Sequence, residues 1–153
     1  MSWWERRIPP PLLFLLFAGL LGAAAWALPP SPLPVLWRAI AAAVCVVAAL
    51  LFAPAAVLSF LRARTTIDPV HIARASSLVT TGAYARTRNP MYLGLVLLLT
   101  AWTAWLGHPV LLAGPFLFVL WLTRFQIIPE ERLLAEKFGA EYARYRRSVR
   151  RWL

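Results

Sequence analysis

Four apolar runs, each separated from the next by prolines or polar residues, are the feature that most restricts how this chain can fold. They cover residues 12–28, 35–61, 90–106 and 110–128. Each is close to or above the roughly 17–25 residues that a helix needs to cross the hydrocarbon core of a bilayer. The pattern predicts an all-α protein, an integral-membrane bundle of about four transmembrane helices in one domain that covers residues 1–153.

The connections between these runs differ in kind. Residues 29–34 contain four prolines and exclude a helix, because proline lacks an N–H donor and restricts the residue before it. Residues 107–109 form so short a turn that the third and fourth runs must pair as an antiparallel hairpin. Residues 62–89 are too polar to cross a bilayer and too short for a domain, so we expect a loop beside the membrane.

The tail, residues 129–153, has a different character. Its apolar residues recur at helical spacing and predict one apolar face; they are Leu134, Phe138, Tyr142, Tyr145, Val149 and Trp152. The opposite face carries Arg144, Arg146, Arg147, Arg150 and Arg151. We expect an amphipathic helix on the membrane surface or against the mouth of the bundle, with Gly139 as a candidate break.

Basic residues predict the orientation of the bundle. With four spans, nearly all of them fall on the side of the termini: Arg6, Arg7, Arg62, Arg64, Arg74, Arg86, Arg88, Arg132, Lys137, Arg144, Arg146, Arg147, Arg150 and Arg151. Arg124 lies nearest to that side, and Arg38 lies near the other. Because cytoplasmic segments carry the excess of Lys and Arg, we expect both termini in the cytosol, in a bacterial inner membrane.

Composition excludes several classes of protein. Hydrophobic residues make up 61% of the chain and charged residues 14%, a balance that a soluble domain of 153 residues rarely has. The net charge of +10 does not predict a nucleic-acid partner, because the basic residues form no helical stripe with interleaved aromatics. Cys45 is the single cysteine and excludes a disulfide within the chain. His71 and His108 have no metal-ligand spacing, so no metal site is expected.

Two polar clusters stand at the ends of the third and fourth runs, residues 80–94 and residues 129–132. A hairpin brings them side by side. Each also has a structural explanation of its own: Asn89 before a proline is a typical helix cap, and Glu130 and Glu131 favour the first turn of a helix through its dipole.

The combination of the two clusters indicates more than helix ends. Arginine suits a carboxylate, glutamate an ammonium group, and Tyr84 and Tyr92 a ring or a cation, so together they suit a zwitterionic, partly aromatic ligand. Gly82 and Gly94 allow a ligand to approach the backbone. Arg124, about two turns before the glutamates, either reaches the membrane surface or faces the bundle interior, where it would be functional.

Four motifs in this order resemble the isoprenylcysteine carboxyl methyltransferase and phospholipid methyltransferase superfamily. They are residues 78–84 (LVTTGAY), residues 88–94 (RNPMYLG), the Glu130-Glu131 pair with Leu134, and Phe138-Gly139 with Glu141, Tyr142 and Tyr145. The resemblance covers about the C-terminal half of the chain. The chain is similar to the short prokaryotic members of this superfamily.

This resemblance implies an integral-membrane methyltransferase that binds S-adenosylmethionine in a cytosol-facing pocket and takes a lipophilic acceptor from the bilayer. The cofactor contacts that it implies are Tyr84, Arg88, Asn89, Pro90, Tyr92, Gly94, Glu130 and Glu131. We expect catalytic roles for Arg88, Glu131 and Arg147, and acceptor contacts from Arg124, Tyr142 and Tyr145. An isoprenoid carboxylate, a phospholipid amine and a small thiol all remain open as acceptors.

The chain departs from the superfamily pattern at two places. Asn89 stands where the family motif has histidine; an amide forms hydrogen bonds but does not titrate. Residues 148–150 read Ser-Val-Arg where the prenylcysteine enzymes have Arg-Val-Pro, a segment that helps to bind the acceptor carboxylate. The second departure argues against prenylcysteine specificity and leaves cofactor binding intact.

Two other functions are compatible with a small apolar bundle. In a non-enzymatic membrane scaffold or lipid-binding protein, the same charges only set topology and contact anionic lipid. In a small transporter, the region of Arg124 is the binding site, but four short spans without a discontinuous repeat argue against it. The sequence does not determine an oligomeric state.

Overall fold

All regular structure is helical in the part of the chain that the computed structural model describes, residues 8–62 and 77–153. The first three helices are α1 (Pro10–Trp26), α2 (Val35–Arg62) and α3 (Pro90–Leu106). The fourth helical segment joins α4 (Ala113–Leu122), a π-helical turn (Thr123–Ile127) and α5 (Ile128–Ser148). Short 3-10 turns lie at Gly82–Ala85 and Pro109–Leu112. The expectation of an all-α protein is confirmed for these residues.

The first three helices lie where the apolar runs predict them. Proline stands in the first turn of α1 and of α3, where its missing N–H costs nothing. Residues 27–34 are not helical, as their prolines predict. Gly107 ends α3 in the left-handed conformation, φ 77°, which glycine adopts without a Cβ penalty. The prolines and Gly107, each acting over a few residues, therefore explain where these helices begin and end.

Close pairs of residues define an alternating arrangement of the helices. Arg38 meets Trp105 and Ala53 meets Gly94, so α2 and α3 are antiparallel. Leu21 approaches Gly114, and the rings of Phe17 and Phe118 lie 5.3 Å apart, so α1 and α4 are antiparallel as well. We call the end of the bundle where α1 and α3 begin the site end. The opposite end, with residues 27–34 and 107–112, is the turn end.

The core fills the space between α1, α3 and α4. Its buried members are Leu13, Leu21, Tyr92, Leu99, Leu111, Phe118, Leu122 and Ile127. The extensive packing of α3 against α2 continues this core on the other side. Because α3 lies between α2 and the fourth segment, its first turn is brought against the elements that build the site.

The predicted boundary between a fourth span and the tail, at residues 128 and 129, is not a break in the helix. The helix continues through Pro129, and the residue before α5, Ile127, is itself helical with φ −69° and ψ −48°. Proline has no N–H to donate to the preceding turn, and the wider π-helical turn lies directly before it. Glu130 and Glu131 lie in the first turn of α5, as the sequence predicts, but the π-helical turn before α5 makes the helix continuous there.

The tail helix is shorter than its apolar pattern predicts. It ends at Ser148, and Val149 is extended with φ −126° and ψ 132°. The residues expected to extend both faces, Val149 and Arg150 to Trp152, lie beyond the helix. We call Val149–Leu153 the strap, because it turns back toward residues 87–89. The break expected at Gly139 is confirmed by its non-helical φ of 45° and ψ of −117°.

Two helical stretches are long and apolar enough to cross a membrane, Val35–Ser59 and Pro109–Ser148. Pro10–Trp26 and Pro90–Leu106 are apolar but shorter, with 17 residues each. Several residues used in the topology and metal arguments lie outside the described residues: Arg6, Arg7, Arg64, Arg74 and His71.

Candidate functional site

Glu131 is the centre of a charged cluster at the site end. Arg151 binds its carboxylate in a bidentate manner, with Nε donating to Oε1 at 3.0 Å and Nη2 donating to Oε2 at 2.7 Å. Nη2 of Arg88 lies 3.1 Å from Oε1 of the same carboxylate. The hydrogen bond to Glu131 raises the pKa of Arg151. Two positive charges therefore share one negative charge.

Arg88 is the less exposed of the two arginines, and part of its guanidinium is unsatisfied. Its side chain is 9% exposed, against 34% for Arg151. Within the described part of the chain, its Nε and Nη1 are buried and have no hydrogen-bond partner. A buried donor without an acceptor costs about 1–3 kcal/mol, and more when it is charged. The unsatisfied donors of Arg88 are those that an anionic group would satisfy.

The strap ties residues 87–89 to the cluster through its backbone. The carbonyl oxygen of Arg151 accepts from Oγ1 of Thr87 at 3.2 Å and from Nδ2 of Asn89 at 2.9 Å. The carbonyl oxygen of Arg150 accepts from the backbone N–H of Arg88 at 3.0 Å. These three bonds hold the segment that carries Arg88 beside Glu131.

Asn89 does not cap α3 as predicted. It occupies the position before the helix, but its side chain makes no capping hydrogen bond there. Its amide donates to the strap instead, from a residue that is only 9% exposed. The correction has a physical reason: the strap carbonyl offers a buried acceptor that the sequence around Asn89 does not reveal.

The strap is also attached to the π-helical turn. Nε1 of Trp152 donates to Oγ1 of Thr123 at 3.3 Å, and that hydroxyl donates to the carbonyl of Val119 at 2.7 Å. The turn that interrupts the fourth helix is thus linked, through the strap, to the first turn of α3.

A second carboxylate lies beside the tyrosines. The hydroxyl of Tyr92 donates to Oε1 of Glu130 at 2.5 Å, and the hydroxyl of Tyr145 donates to the backbone carbonyl of Tyr84 at 2.7 Å. Together with the contact between Arg88 and Glu131, these bonds bring the two polar clusters of the sequence side by side, as the hairpin argument predicts.

The tyrosines of the site are neutral phenols. Burial raises the pKa of Tyr84 well above its ordinary value, and Tyr145 and Glu130 add to the effect. Burial also raises the pKa of Tyr145. The pKa of Tyr142 rises to about 12 through burial and the charge of Glu131, against the opposing charges of nearby arginines. These hydroxyls act as hydrogen-bonding groups at neutral pH.

The predicted glycines and Pro90 lie in packed surroundings. Pro90 is fully buried in the first turn of α3. A Cβ on Gly94 would lie 2.9 Å from that of Ala53, so glycine lets α3 approach α2 closely. A Cβ on Gly82, whose φ is 64°, would meet Oγ of Ser59 at 2.5 Å. Helix packing explains both glycines, and a ligand contact at Gly94 stays a prediction.

Two predicted arginines are exposed. The guanidinium of Arg124 lies 5.3 Å from the ring centroid of Phe125, which favours the alternative in which this side chain reaches the surface. Arg147 lies about 200° around α5 from Tyr145, because successive helical residues are about 100° apart. It is thus on the side opposite the buried tyrosines, and a catalytic role for it stays a prediction.

Sequence analysis missed the contribution of Arg151 and Thr87. It placed Arg151 on the polar face of the tail helix, among four similar arginines. No local signal distinguishes Arg151 from these neighbours, since its role depends on where the helix ends and on what lies opposite. Thr87 is fully buried, although its sequence surroundings between two arginines indicate an exposed residue.

Comparison with known proteins agrees with the motifs. Residues 37–141, more than half of the chain, match the family model described as phospholipid methyltransferase. An uncharacterized protein of Haemophilus influenzae is 52% identical over 63 residues, which are 41% of this chain and all of that protein. The protein-S-isoprenylcysteine O-methyltransferase of Saccharomyces cerevisiae is 41% identical over 78 residues, 47% of this chain. That match covers 30% of the yeast protein. No solved structure matches the chain.

Proposed function

The chain belongs to the phospholipid methyltransferase family, and we propose on that basis that it transfers a methyl group from S-adenosylmethionine to a lipophilic acceptor within a membrane. The similarity to an isoprenylcysteine O-methyltransferase supports the same type of reaction. Since the chain spans less than a third of that protein, the acceptor is proposed from the chemistry of the site.

The surface of the helices supports a membrane location. Leu15 and Leu16 of α1 and Leu50 and Leu51 of α2 are each more than half exposed. Contiguous exposed apolar surface of this kind is unusual in a soluble monomer, and helices that are apolar all round are typical of membrane spans. We place α1, α2, α3 and residues 110–128 of the fourth segment across the bilayer as one domain, with α1 and α3, about 26 Å long, near the lower limit.

The charges support the orientation. Among the described residues, the site end and α5 hold every charged side chain except Arg38. The positive-inside rule then assigns the site end, the strap and both termini to the cytosol of a bacterial cell. The candidate site faces the compartment that contains S-adenosylmethionine, at the depth where a lipid acceptor meets water.

The unsatisfied Nε and Nη1 of Arg88 are the observation that carries the cofactor assignment. They are charged donors of one guanidinium that point in different directions, so each suits an anionic oxygen, and arginine forms strong charge-assisted hydrogen bonds with carboxylates. The methionyl part of S-adenosylmethionine supplies such a carboxylate. Its negative charge would also balance the excess positive charge of the pair of arginines around Glu131.

Glu130 is a suitable partner for the positively charged groups of the cofactor. This carboxylate lies between Tyr92, which donates to it, and Tyr84, whose pKa it helps to raise. A carboxylate beside aromatic rings suits an ammonium or a sulfonium group. Arg88 and Glu130 therefore form a complementary pair for a zwitterion.

S-adenosylmethionine would supply a methyl group on a sulfonium: the acceptor would form its bond to the methyl carbon in line as the carbon–sulfur bond breaks and S-adenosylhomocysteine leaves. The task of the protein is to align the two reactants and to exclude water. Arg88 and Glu130 orient the methionyl group, and Glu131 and the strap hold Arg88 in place. Buried Tyr142 and Tyr145 close the side of the site toward α5.

The acceptor determines whether a base is needed. A carboxylate or a thiolate needs none, whereas an amine must lose a proton. Oxygens of Glu131 already accept from three guanidinium nitrogens, so Glu131 serves as an anchor. Glu130, which accepts from Tyr92 and lies near Tyr84, is the carboxylate placed to accept a proton from an amine. An isoprenoid carboxylate, a phospholipid amine and a small thiol are the candidate acceptors.

The test is calorimetric binding of S-adenosylmethionine to the purified protein in lipid nanodiscs. Arg88→Lys keeps the charge but loses the planar fork, and we expect it to weaken binding at least about tenfold. Arg144→Ala removes an exposed arginine of α5 and is the matched control with unchanged affinity.

Binding that Arg88→Lys leaves intact would contradict the carboxylate assignment. A folded, monodisperse protein that binds no S-adenosylmethionine would overturn the enzymatic proposal and favour a non-enzymatic membrane scaffold or lipid-binding protein. Where binding is confirmed, transfer of labelled methyl to each candidate acceptor class identifies the product.

A further inference from the structure

An open apolar groove runs along the bundle on the side of the turn end. It has a volume of about 490 Å³ and lies between α1, α2 and α3. Small residues from each helix, Ala18, Ala42 and Ala101, leave this space. Trp102 forms part of the wall and is held by a hydrogen bond of 3.0 Å from its Nε1 to the carbonyl of Ala18.

Arg38 lies at one end of this groove. Arg38, Ala42 and Val46 follow one another at intervals of four residues on α2, so they share one face of the helix. The last two line the groove. The stripe is about 12 Å long, since each residue advances a helix by 1.5 Å. On α3, Trp105 lies at the same end and Leu98 at the other.

The guanidinium of Arg38 is held in a fixed position. Its Nε donates to the carbonyl of Trp105 at 2.6 Å, and its Cζ lies 5.4 Å from the Trp105 ring centroid. A Cβ on Gly107 would collide with the Arg38 side chain, so the glycine turn makes room for it. The Trp105 carbonyl thus occupies the Nε donor and leaves Nη1 and Nη2 as the donors for a ligand.

No carboxylate balances this charge within the described residues. The four glutamates there, at positions 130, 131, 136 and 141, all lie in α5. The ion pairs of Glu131 with Arg88 and Arg151 are at the site end. Arg38 is therefore the one charged residue that the described chain places at the turn end.

The shape and charge favour one lipid as the occupant. The groove is a strip beside α2 and α3 with a cation and an indole at its end, which matches an acyl chain with a phosphate above it. A two-fold dimer through this groove would place like charges, one Arg38 from each copy, at the same interface without a carboxylate at the turn end to pair with them. That arrangement is unfavourable.

We propose that the turn end binds one phospholipid, with its phosphate on Arg38 and one acyl chain in the groove along Ala42 and Val46. This lipid belongs to the leaflet opposite the candidate active site. The proposal depends on the membrane location given above but not on methyl transfer, since the end of the groove at Leu98 is about 12 Å along α3 from Pro90.

Native mass spectrometry of the delipidated protein, titrated with phosphatidylglycerol, tests this site. We expect one tightly retained lipid. A diacylglycerol with the same chains lacks the phosphate and should not be retained. Arg38→Gln keeps a donor for the Trp105 carbonyl but loses the charge, and should weaken retention about tenfold. Arg62→Gln changes an exposed arginine at the other end of α2 and should leave retention unchanged.

Ala42→Leu fills the groove without changing any charge and should also reduce retention. Equal retention by wild type and Arg38→Gln, or an equal loss in Arg62→Gln, would overturn the proposal. Loss of a dimer instead of a lipid in Arg38→Gln would overturn it in favour of a second copy as the occupant. Binding of S-adenosylmethionine by Arg38→Gln separates the two proposals, because we expect that binding to be unchanged.

Discussion

The two ends of the bundle hold arginine in opposite ways. At the site end, Arg88 and Arg151 share Glu131 within the protein, and buried donors of Arg88 are unsatisfied. At the turn end, half-buried Arg38 relies on a backbone carbonyl and an indole. Removing charges from water costs several kcal/mol per ion, which pairing repays only in part. The buried cluster around Glu131 has this cost, and we expect such a cluster where a binding site needs charge.

Both ends depend on contacts between residues that are far apart in the chain, but they use different elements. At the turn end, the Ser31 hydroxyl donates to the Gly107 carbonyl at 2.8 Å and accepts from the backbone N–H of Leu33 at 3.2 Å. The site end depends on the strap, whose carbonyls accept from residues more than sixty positions earlier. The site therefore forms only when the whole bundle has folded.

The largest expected difference between the ends comes from Glu131→Gln. This change leaves two guanidiniums beside each other without a counter-charge, and we expect the free energy of unfolding to fall by about 3 kcal/mol. Glu136→Gln, at an exposed position of the same helix, should change it by less than about 0.5 kcal/mol. Denaturant titration in detergent measures both. Similar losses in the two variants would show that the buried cluster is not special.

Gly107→Ala tests the turn end in the same way. Its φ of 77° disfavours any Cβ, and the new methyl would collide with Ser31 and Arg38. We expect a loss of about 2 kcal/mol with unchanged affinity for S-adenosylmethionine, because the candidate site lies at the other end. A loss of affinity beyond that explained by unfolding would show that the two ends are coupled.

Gly94→Ala distinguishes packing from ligand contact within the site end. The new Cβ would press against Ala53, so we expect a loss of about 1.5 kcal/mol. Ala53→Gly in the same protein should restore most of it by removing the opposing methyl group. If Gly94 instead contacts the cofactor, affinity for S-adenosylmethionine falls and the second change does not restore it.

Asn89→Ala should cost about 1 kcal/mol, since it removes the hydrogen bond to the Arg151 carbonyl. Asn89→Asp places a carboxylate against that carbonyl and should be worse than alanine. Measuring the free energy of unfolding of the two variants tests whether aspartate is worse than alanine at this position. Should aspartate prove the milder change, the strap would not be held by Asn89, and the long-range character of the site end would be in question.

The smallest effect concerns pH. The pKa of Tyr142 is about 12 in the folded protein and about 10 when unfolded. The folded state thus keeps a proton that the unfolded state releases, and stability contributed by this group is present below pH 10 and lost as pH rises toward 12. Tyr142→Phe should flatten part of the decline in unfolding free energy measured from pH 9 to 12. An unchanged slope would contradict the burial of this hydroxyl beside Glu131.

Much of the fold is predictable because its signals are local. The lengths of the apolar runs, proline in the first turns and Gly107 at the end of α3 act over a few residues each. The short turn at 107–109 also predicts that the clusters around Arg88 and Glu131 meet. The family motifs include the same residues, Arg88 shortly before α3 and Glu131 within α5.

The chain by itself determined the helices, their hairpin and the charged groups at its mouth. Only the tertiary structure decided that the helix continues through Pro129 and stops at Ser148, that Arg151 meets Glu131, and that Asn89 holds the strap. These features depend on which acceptor or charge lies opposite a side chain after folding. Asn89 and Arg151 are 62 residues apart, and Glu131 and Arg151 are 20 apart, so periodicity and spacing do not reveal these partners.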